Sequence, residues 1–250
     1  MAKRRSYVKD GVKVPSVTTI LATLDKPALM YWAVNQCVDY LQEVLDSQKT
    51  ITSEYLFSAK MNWRKASKKA LDIGSNVHHA INDYWNNGRT IPDWAEKDPL
   101  IMPPLIAFLE WADVNKVEPV ATEVTVFYEH DFAGTVDLIC RMNGKPDLVL
   151  VDYKSAKAIY PEYFLQAGGY VSAWNKEQML KPECETIQRA GILRLDKETG
   201  FPEYVDISAN LIEYQNAFLL LTEFYNAYKA IPKTPDPFDE EEIISNTEEK

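Results

Sequence analysis

Apolar residues recur along this chain with two spacings, one typical of helices and one typical of strands. Helical spacing begins at Ser16, a predicted helix N-cap, and continues through Val38 and Leu45. A basic helix is predicted to end near Gly74, and from residue 119 onward short apolar runs predict strands. Helices are predicted from Ser16 through Leu45 and at about 55–72, 77–86, 105–114, 162–180 and 211–225, and strands at about 119–128, 132–142, 147–154, 186–195 and 204–207. This order predicts an α/β fold.

Two of the predicted strands form a hairpin that carries acidic residues. The turn is assigned to residues 143–146, Asn-Gly-Lys-Pro, which sets Met142 opposite Asp147. Counting back along both strands sets Asp137 opposite Asp152, with Cβ atoms ~5 Å apart on one face. Lys154 points to the same face. Asp147 lies an odd number of residues from Asp152 and therefore projects to the other face, so it is interpreted as a turn residue.

The facing acids have two interpretations. Asp137 and Asp152 repel each other, and desolvating them costs several kcal/mol each unless a positive group lies between them. A divalent cation such as Mg²⁺ or Mn²⁺ meets that need, and Lys154 could position or deprotonate a water molecule beside it. The alternative is a structural Asp–Lys pair on a half-exposed hairpin, and the hairpin by itself does not decide between them.

Composition and charge bound the class of protein. The chain has 250 residues, 46% of them hydrophobic, and a net charge of −10. Residues 236–250 hold seven acids against one lysine, which leaves 30 acids and 26 bases in residues 1–235. We expect a single domain over 1–235, mainly helical over about 1–115 with an α/β core over 116–230, and a disordered acidic tail over 236–250. The tail could dock a partner or be a solvated end.

Three other local features concern the cell compartment, the state of the cysteines and a basic helix. No apolar run is long enough to cross a membrane and no signal peptide is recognised, so a cytoplasmic protein of a bacterial or phage-infected cell is expected. Three widely spaced cysteines, Cys37, Cys140 and Cys184, predict reduced, buried thiols. Basic residues surround one tryptophan on the predicted helix at 55–72, and they indicate either a DNA contact or a solvated helix face. These residues are Lys60, Trp63, Arg64, Lys65, Lys68 and Lys69.

Five short motifs in a fixed order resemble the RecB-like branch of the PD-(D/E)XK nuclease superfamily. They run from Gly74 to His78, through Glu123, then Gly134 to Asp137, then Asp152-Tyr-Lys-Ser155, and finally Gln166 with Tyr170. The segment Pro15-Ser-Val-Thr-Thr-Ile-Leu21 also resembles small phage-encoded members. The resemblance covers residues 14–175. Taken singly, His78 could be an ordinary polar helix residue, and Gln166 and Tyr170 could belong to an amphipathic helix.

The resemblance implies a restriction-endonuclease-like core, in which a central mixed β-sheet is flanked by helices, and a set of site residues. Metal would be bound by His78, Asp137, Asp152 and the backbone carbonyl of Tyr153, and Lys154 would be the catalytic lysine. Gln166 and Tyr170 would line the site and help to hold the scissile strand. Glu123 matches a family acid that either contacts the metal or orients the site.

By the same resemblance we expect a deoxyribonuclease that uses one or two Mg²⁺ or Mn²⁺ ions, most simply an exonuclease in DNA recombination, repair or phage DNA processing. A structure-specific endonuclease is the alternative, and a non-catalytic DNA- or partner-binding module is the alternative of another class. Some relatives hold an iron-sulfur cluster with four cysteines, a spacing that this chain lacks, so no cluster is expected. No P-loop is present, so a motor would be another chain. Expected partners are DNA and a recombination or single-strand-binding protein, and a homo-oligomer would suit processive action.

Overall fold

The computed structural model describes residues 6–197 and 200–232, and the predicted acidic tail at 236–250 lies outside the described residues. Seven α-helices and seven strands are named here in chain order. They are β1 (Tyr7–Lys9), β2 (Val12–Val14), α1 (Val17–Leu21), α2 (Pro27–Asp46), α3 (Ser53–Asn86), α4 (Asp93–Glu96), α5 (Met102–Val114), β3 (Glu118–Tyr128), β4 (Phe132–Arg141), β5 (Leu148–Lys154), α6 (Pro161–Gln178), β6 (Ile187–Leu195), β7 (Pro202–Asp206) and α7 (Leu211–Lys229).

Strands β3 to β7 form one sheet in sequence order. Neighbouring strands are antiparallel except for β5 and β6, which run parallel and are joined across one face of the sheet by α6. A parallel pair needs such a crossover, because a tight turn cannot return the chain to the same end of the sheet. The site described below lies where β5 ends and the crossover begins.

The sheet separates two hydrophobic layers. Helices α1, α6 and α7 cover one face, where Leu148 and Leu150 of β5 point, and α3 and α5 cover the other, where Val149 and Val151 point. Both faces of β5 are therefore apolar, as its near-continuous hydrophobic run requires. This arrangement confirms the predicted fold class, an α/β fold with a central mixed sheet flanked by helices.

Two differences from the prediction in the N-terminal part bear on the site. The helices predicted at 55–72 and 77–86 are one continuous helix of 34 residues, α3, which passes through Gly74 without a break. The prediction treated Gly74 as a helix end, whereas the structure uses it for a close contact described below. A short hairpin, β1–β2, also precedes the helices. Its turn, Asp10-Gly11, has positive φ at both residues, the conformation that two-residue hairpin turns favour.

The other boundaries agree with the predictions to within a few residues. Ser16 caps α1 as predicted, because its hydroxyl accepts a hydrogen bond from the backbone N–H of Thr19 at 3.0 Å. The predicted helix after Ser16 is divided in two, α1 and α2. Helix α2 packs against α3, and Asn62 donates to the carbonyl of Gln36 at 2.9 Å to join the pair. In the part of the chain that the structure describes, no helix has both the length and the apolar character of a membrane span.

Candidate active site

Three acids lie in one row across three neighbouring strands. Strand β3 pairs with β4 so that Glu123 falls opposite Asp137, between the pairs Thr122–Leu138 and Val124–Val136. The β4–β5 pairing, Leu138 with Val151, continues by one residue to place Asp137 opposite Asp152, which is the predicted register. The exposed fraction is 8% for Asp137 and 1% for Asp152. Such burial of two acids in adjacent strands requires polar partners.

The first partners of Asp137 come from α3 and β5. His78 Nδ1 lies 3.0 Å from Asp137 Oδ1, and the backbone N–H of Tyr153 donates to Asp137 Oδ2 at 2.8 Å. The ring of Tyr153 packs edge-on against His78, with centroids 5.6 Å apart. Both carboxylate oxygens of Asp137 are thus hydrogen-bonded, which fixes the orientation of this buried side chain.

Glu123 joins the same group through an unusual backbone conformation. Its φ is +48°, in the left-handed region that non-glycine residues rarely adopt. One ligand atom each from His78, Glu123 and Asp137 lies within 4.8 Å of the other two. Backbone strain of this kind persists only where the surrounding structure enforces it, and it is common at functional sites. We call these three residues the donor group.

Charge and burial act in opposite directions on the pKa values of His78 and Asp137. Burial alone would lower the pKa of His78, but the charge and hydrogen bond of Asp137 raise it above its ordinary value. Burial alone would raise the pKa of Asp137, but His78, Lys154 and the N–H of Tyr153 lower it. The pair therefore favours an ionised carboxylate beside a protonated imidazole.

Asp152 and Lys154 form a second charged pair next to the donor group. The ammonium of Lys154 is in ion-pair contact with Asp152 Oδ2, and both side chains are largely buried. The ammonium also lies over the ring of Tyr163 in α6, 4.9 Å from its centroid, a cation–π contact that sequence spacing did not indicate. Burial raises the pKa of Asp152 to about 6, an effect to which the nearby Asp137 adds and which Lys154 opposes.

The structure therefore modifies the predicted pair of facing acids. The register is as predicted, but Asp137 is bonded to α3 while Asp152 is bonded to Lys154, which lies against α6. Val136 and Ile139 both pack in the layer of α6, although they are three residues apart. Regular alternation is thus interrupted between them, and face counting could not predict this.

Asp147 belongs elsewhere, as the sequence predicted. It is a partly exposed residue whose carboxylate pairs with Arg189 on β6 at 3.1 Å, and Arg189 also pairs with Asp206 at 3.2 Å. Arg189 holds the pKa of Asp147 below its ordinary value. Asp147 is thus part of a surface ion-pair network at the turn end of the hairpin.

Gly74 explains how α3 approaches the end of β5. A Cβ atom built on Gly74 would lie 2.9 Å from the hydroxyl oxygen of Ser155, the residue after Lys154. His78 is one helical turn further along α3 and shares that face. A glycine four residues before the histidine therefore lets the helix bring its imidazole to Asp137, and this spacing was the available sequence signal.

Gln166 and Tyr170 lie together on α6 as predicted. Gln166 Nε2 donates to the hydroxyl of Tyr170 at 2.8 Å. The Tyr170 ring is buried against Gly134 of β4, where a Cβ atom would come within 2.3 Å of the ring. Burial, with the negative charges of Asp152 and Asp137, raises the pKa of Tyr170 well above its ordinary value, so its hydroxyl stays protonated.

The basic residues of α3 are on the same helix as His78 but distant from it. Trp63 is partly buried with the guanidinium of Arg64 over its ring at 5.4 Å. At ~1.5 Å per residue, Lys69 is ~13 Å and Lys60 ~27 Å from His78 along the helix axis. Lys60, Lys65, Lys68 and Lys69 are exposed.

The prediction that all three thiols are buried is wrong, because Cys184 is exposed and only Cys140 is fully buried among the three.

The chemistry of the donor group fits a divalent cation. Two carboxylate oxygens and one imidazole nitrogen are within reach of a single ion, and carboxylates with water suit Mg²⁺ or Mn²⁺. A cation bound there would replace the proton that His78 and Asp137 share. Glu123, for which metal contact was one of two predicted roles, is a member of the group, and the predicted ligand Asp152 lies next to it, paired with Lys154.

Comparison with known proteins yields partial structural similarity only. No protein-family model matches the chain, and no curated protein sequence matches it. An alkaline exonuclease, LHK-Exo from Laribacter hongkongensis, aligns with 62% of this chain and 81% of its own chain, at 13% identity and a TM-score of 0.30. The protein SSO0001 aligns with 61% of this chain and 74% of its own, at 10% identity and a TM-score of 0.28. Similarity at this level does not assign a function. The functional proposal below rests on the residues of the site.

Proposed function

We propose that this protein is a metal-dependent nuclease that hydrolyses phosphodiester bonds in DNA. The observation that carries the proposal is the junction of the donor group with the buried pair Asp152–Lys154 at the end of one strand. Buried charges of this kind are costly for stability, and their usual reason is chemistry. A divalent cation at this site would stabilise charge on the phosphate and activate water as the nucleophile.

Each residue of the site has a proposed part. His78, Glu123 and Asp137 would hold the cation, together with Asp152 and the carbonyl of Tyr153. Lys154 would position the attacking water and offset charge on the phosphate, and its contact with the Tyr163 ring limits its freedom. The Tyr153 N–H holds Asp137 in place, and the Gln166–Tyr170 pair would hold the scissile strand through its donors.

Exonuclease action is proposed first because of the resemblance to RecB-like nucleases, and endonuclease action is the alternative. The test is incubation of the purified protein with end-labelled linear DNA and with closed circular single-stranded DNA, in Mn²⁺, in Mg²⁺ and in EDTA. We expect metal-dependent loss of linear DNA and intact circles. Rapid cleavage of circles would establish an endonuclease, and no cleavage of any DNA with either ion would refute the nuclease function.

The exposed lysines of α3 are proposed to guide DNA toward the site. They share a rigid helix with His78, so a strand that follows the helix would be directed to the donor group. A Lys65→Glu, Lys68→Glu double variant should bind single-stranded DNA about tenfold more weakly at low salt, since phosphate contacts dominate such affinity. A Lys181→Glu variant, which changes the charge of an exposed residue just beyond the C-terminal end of α6, serves as the control. Equal affinity of the double variant and the control would refute this guiding role.

A further inference from the structure

A groove lies next to the donor group, between the N-terminal hairpin and the sheet. Its cavity volume is about 570 Å³, and its lining includes Tyr7 of β1, Thr125 and Phe127 of β3, and Thr135 of β4. Glu123 is also part of its lining. Because Glu123 belongs to both, the groove adjoins the donor group.

The wall of the groove formed by β1 is held by specific contacts. The hydroxyl of Tyr7 is 2.9 Å from the hydroxyl of Thr135, and the Tyr7 ring meets Phe127 edge-on with centroids 6.4 Å apart. The ammonium of Lys9 lies over the Phe127 ring, 5.5 Å from its centroid. The hairpin therefore brings an aromatic ring and a cation to a sheet face that already carries hydroxyl groups.

This lining has the chemistry of a nucleotide site. Aromatic rings contact bases, hydroxyls exchange hydrogen bonds with phosphate, sugar or base edges, and a lysine attracts phosphate. Glu123 is the acid among the lining residues, and a cation in the donor group would offset its charge. The volume lies within the range typical of sites for small ligands and is suited to a single nucleotide unit rather than to a duplex.

We propose that the groove binds an unpaired deoxynucleotide of the strand being cut, next to the phosphate at the donor group. This inference rests on the proposed nuclease function. Bases in a duplex have their faces covered by stacked neighbours, so aromatic residues contact them well only when the strand is single. The groove therefore selects single-stranded DNA, or a frayed end, as the substrate of this site, and the hairpin β1–β2 determines that selection.

Two lysines of the hairpin make a matched test. The Lys9 ammonium lies over the ring of Phe127, a lining residue of the groove, whereas Lys13 on β2 is exposed and pairs in the ladder with Val8. Fluorescence anisotropy would measure binding of labelled oligo(dT) and of a blunt duplex by the full chain in Ca²⁺, a cation that oxygen ligands hold, and a gel after each titration would verify that the DNA is intact. We expect Lys9→Glu to bind oligo(dT) about tenfold more weakly than Lys13→Glu, with equal duplex binding by the two variants.

A Tyr7→Ala and Tyr7→Phe pair provides an independent measurement. Tyr7→Phe keeps the ring and should retain oligo(dT) affinity within about threefold, while Tyr7→Ala should lose about tenfold. Equal affinities for oligo(dT) in Lys9→Glu and Lys13→Glu would overturn the groove assignment, as would absence of oligo(dT) binding by the parent protein. Cleavage by the parent protein is scored separately. A protein that cuts DNA but shows no difference between these variants would retain its function and lose only this inference.

Discussion

The two ends of the β4–β5 hairpin both place aspartates beside basic residues, yet the two environments are opposite. At the turn end, Asp147 pairs with Arg189 at 3.1 Å, and both are partly exposed. At the other end, Asp137 and Asp152 are almost completely buried beside His78 and Lys154. Acids and bases thus form a surface ion pair in one place and a buried charged cluster about five residues further along each strand.

Asp152 at the buried end differs from Asp147 in the direction of its pKa shift. Hydrogen bonding to Arg189 lowers the pKa of Asp147, as is usual for an exposed salt bridge, and such pairs stabilise proteins little. Burial raises the pKa of Asp152 to about 6 despite the adjacent lysine. A protein retains an acid under such conditions where its charge is needed for binding or chemistry. The two ends of the hairpin differ in the burial of their acids more than in the residue types that they contain.

The largest expected effect concerns cleavage. Asp137→Asn should lower the single-turnover rate on labelled single-stranded DNA by about 10³-fold or more, because several kcal/mol of metal-derived stabilisation are lost. Asp147→Asn, the matched change at the turn end, should cleave within about twofold of the parent rate. Circular dichroism would verify that both variants are folded. A comparable loss in both variants would remove the distinction between the two ends.

Metal affinity should separate the same two variants. Calorimetric titration with Mn²⁺ should show a dissociation constant at least about 10-fold to 100-fold higher for Asp137→Asn, because a hydrogen-bonded carboxylate of the donor group is gone. Asp147→Asn should bind Mn²⁺ as the parent does. Unchanged affinity in Asp137→Asn would place the metal elsewhere.

The pH dependence of metal binding should also be confined to the buried end. Since Asp137 raises the pKa of His78, and burial raises that of Asp152 to about 6, both groups gain protons as pH falls from 8 toward 6. Metal ligands must be deprotonated, so Mn²⁺ affinity should fall with pH, by about tenfold per pH unit for each proton displaced. The lowered pKa of Asp147 keeps that acid ionised throughout this range. Titrations at pH 6, 7 and 8 that gave one affinity would contradict this expectation.

The smallest expected effects are those of substituting two glycines of the β4–β5 hairpin. A Cβ on Gly134 would overlap the Tyr170 ring, so Gly134→Ala should destabilise the protein by about 1–3 kcal/mol and slow cleavage. Gly144 at the turn has φ +69° and open space around it. Gly144→Ala should cost about 1 kcal/mol of stability without slowing cleavage. Urea unfolding and single-turnover rates measure both, and equal activity in the two variants would show that Tyr170 has no part in the site.

Much of the α/β core was predictable because local signals agreed with the fold. The turn at 143–146 set the register, and the register set Asp137 opposite Asp152. The sequence could not reveal the interruption of alternation near Asp137 or the left-handed Glu123, because both arise from contacts among β3, β4 and α3. The prediction that a helix ends near Gly74 was wrong, because a glycine within a helical pattern indicates a break unless its packing partner, Ser155, is known.

The remaining missed features came from contacts between distant segments. Tyr163 lies over Lys154 only because α6 crosses the end of β5. The hairpin β1–β2 had one local signal, the turn Asp10-Gly11, but its contacts with Phe127 and Thr135 join segments more than 100 residues apart. Neither the contact of Tyr163 with Lys154 nor the contact of the hairpin with the sheet follows from spacing along the chain.

The single-turnover rate of a Lys154→Ala variant tests the assignment of the buried end most directly. Lys154 lies outside the donor group and its ammonium contacts Asp152, so this variant should bind Mn²⁺ at least as tightly as the parent, because a competing positive charge is gone. Its cleavage rate should nevertheless fall by about 10²-fold to 10⁴-fold, the range for loss of a group that positions or deprotonates water. A variant that binds Mn²⁺ and cleaves DNA at the parent rate would contradict the assignment of Lys154 and, with it, of the buried end as the catalytic centre.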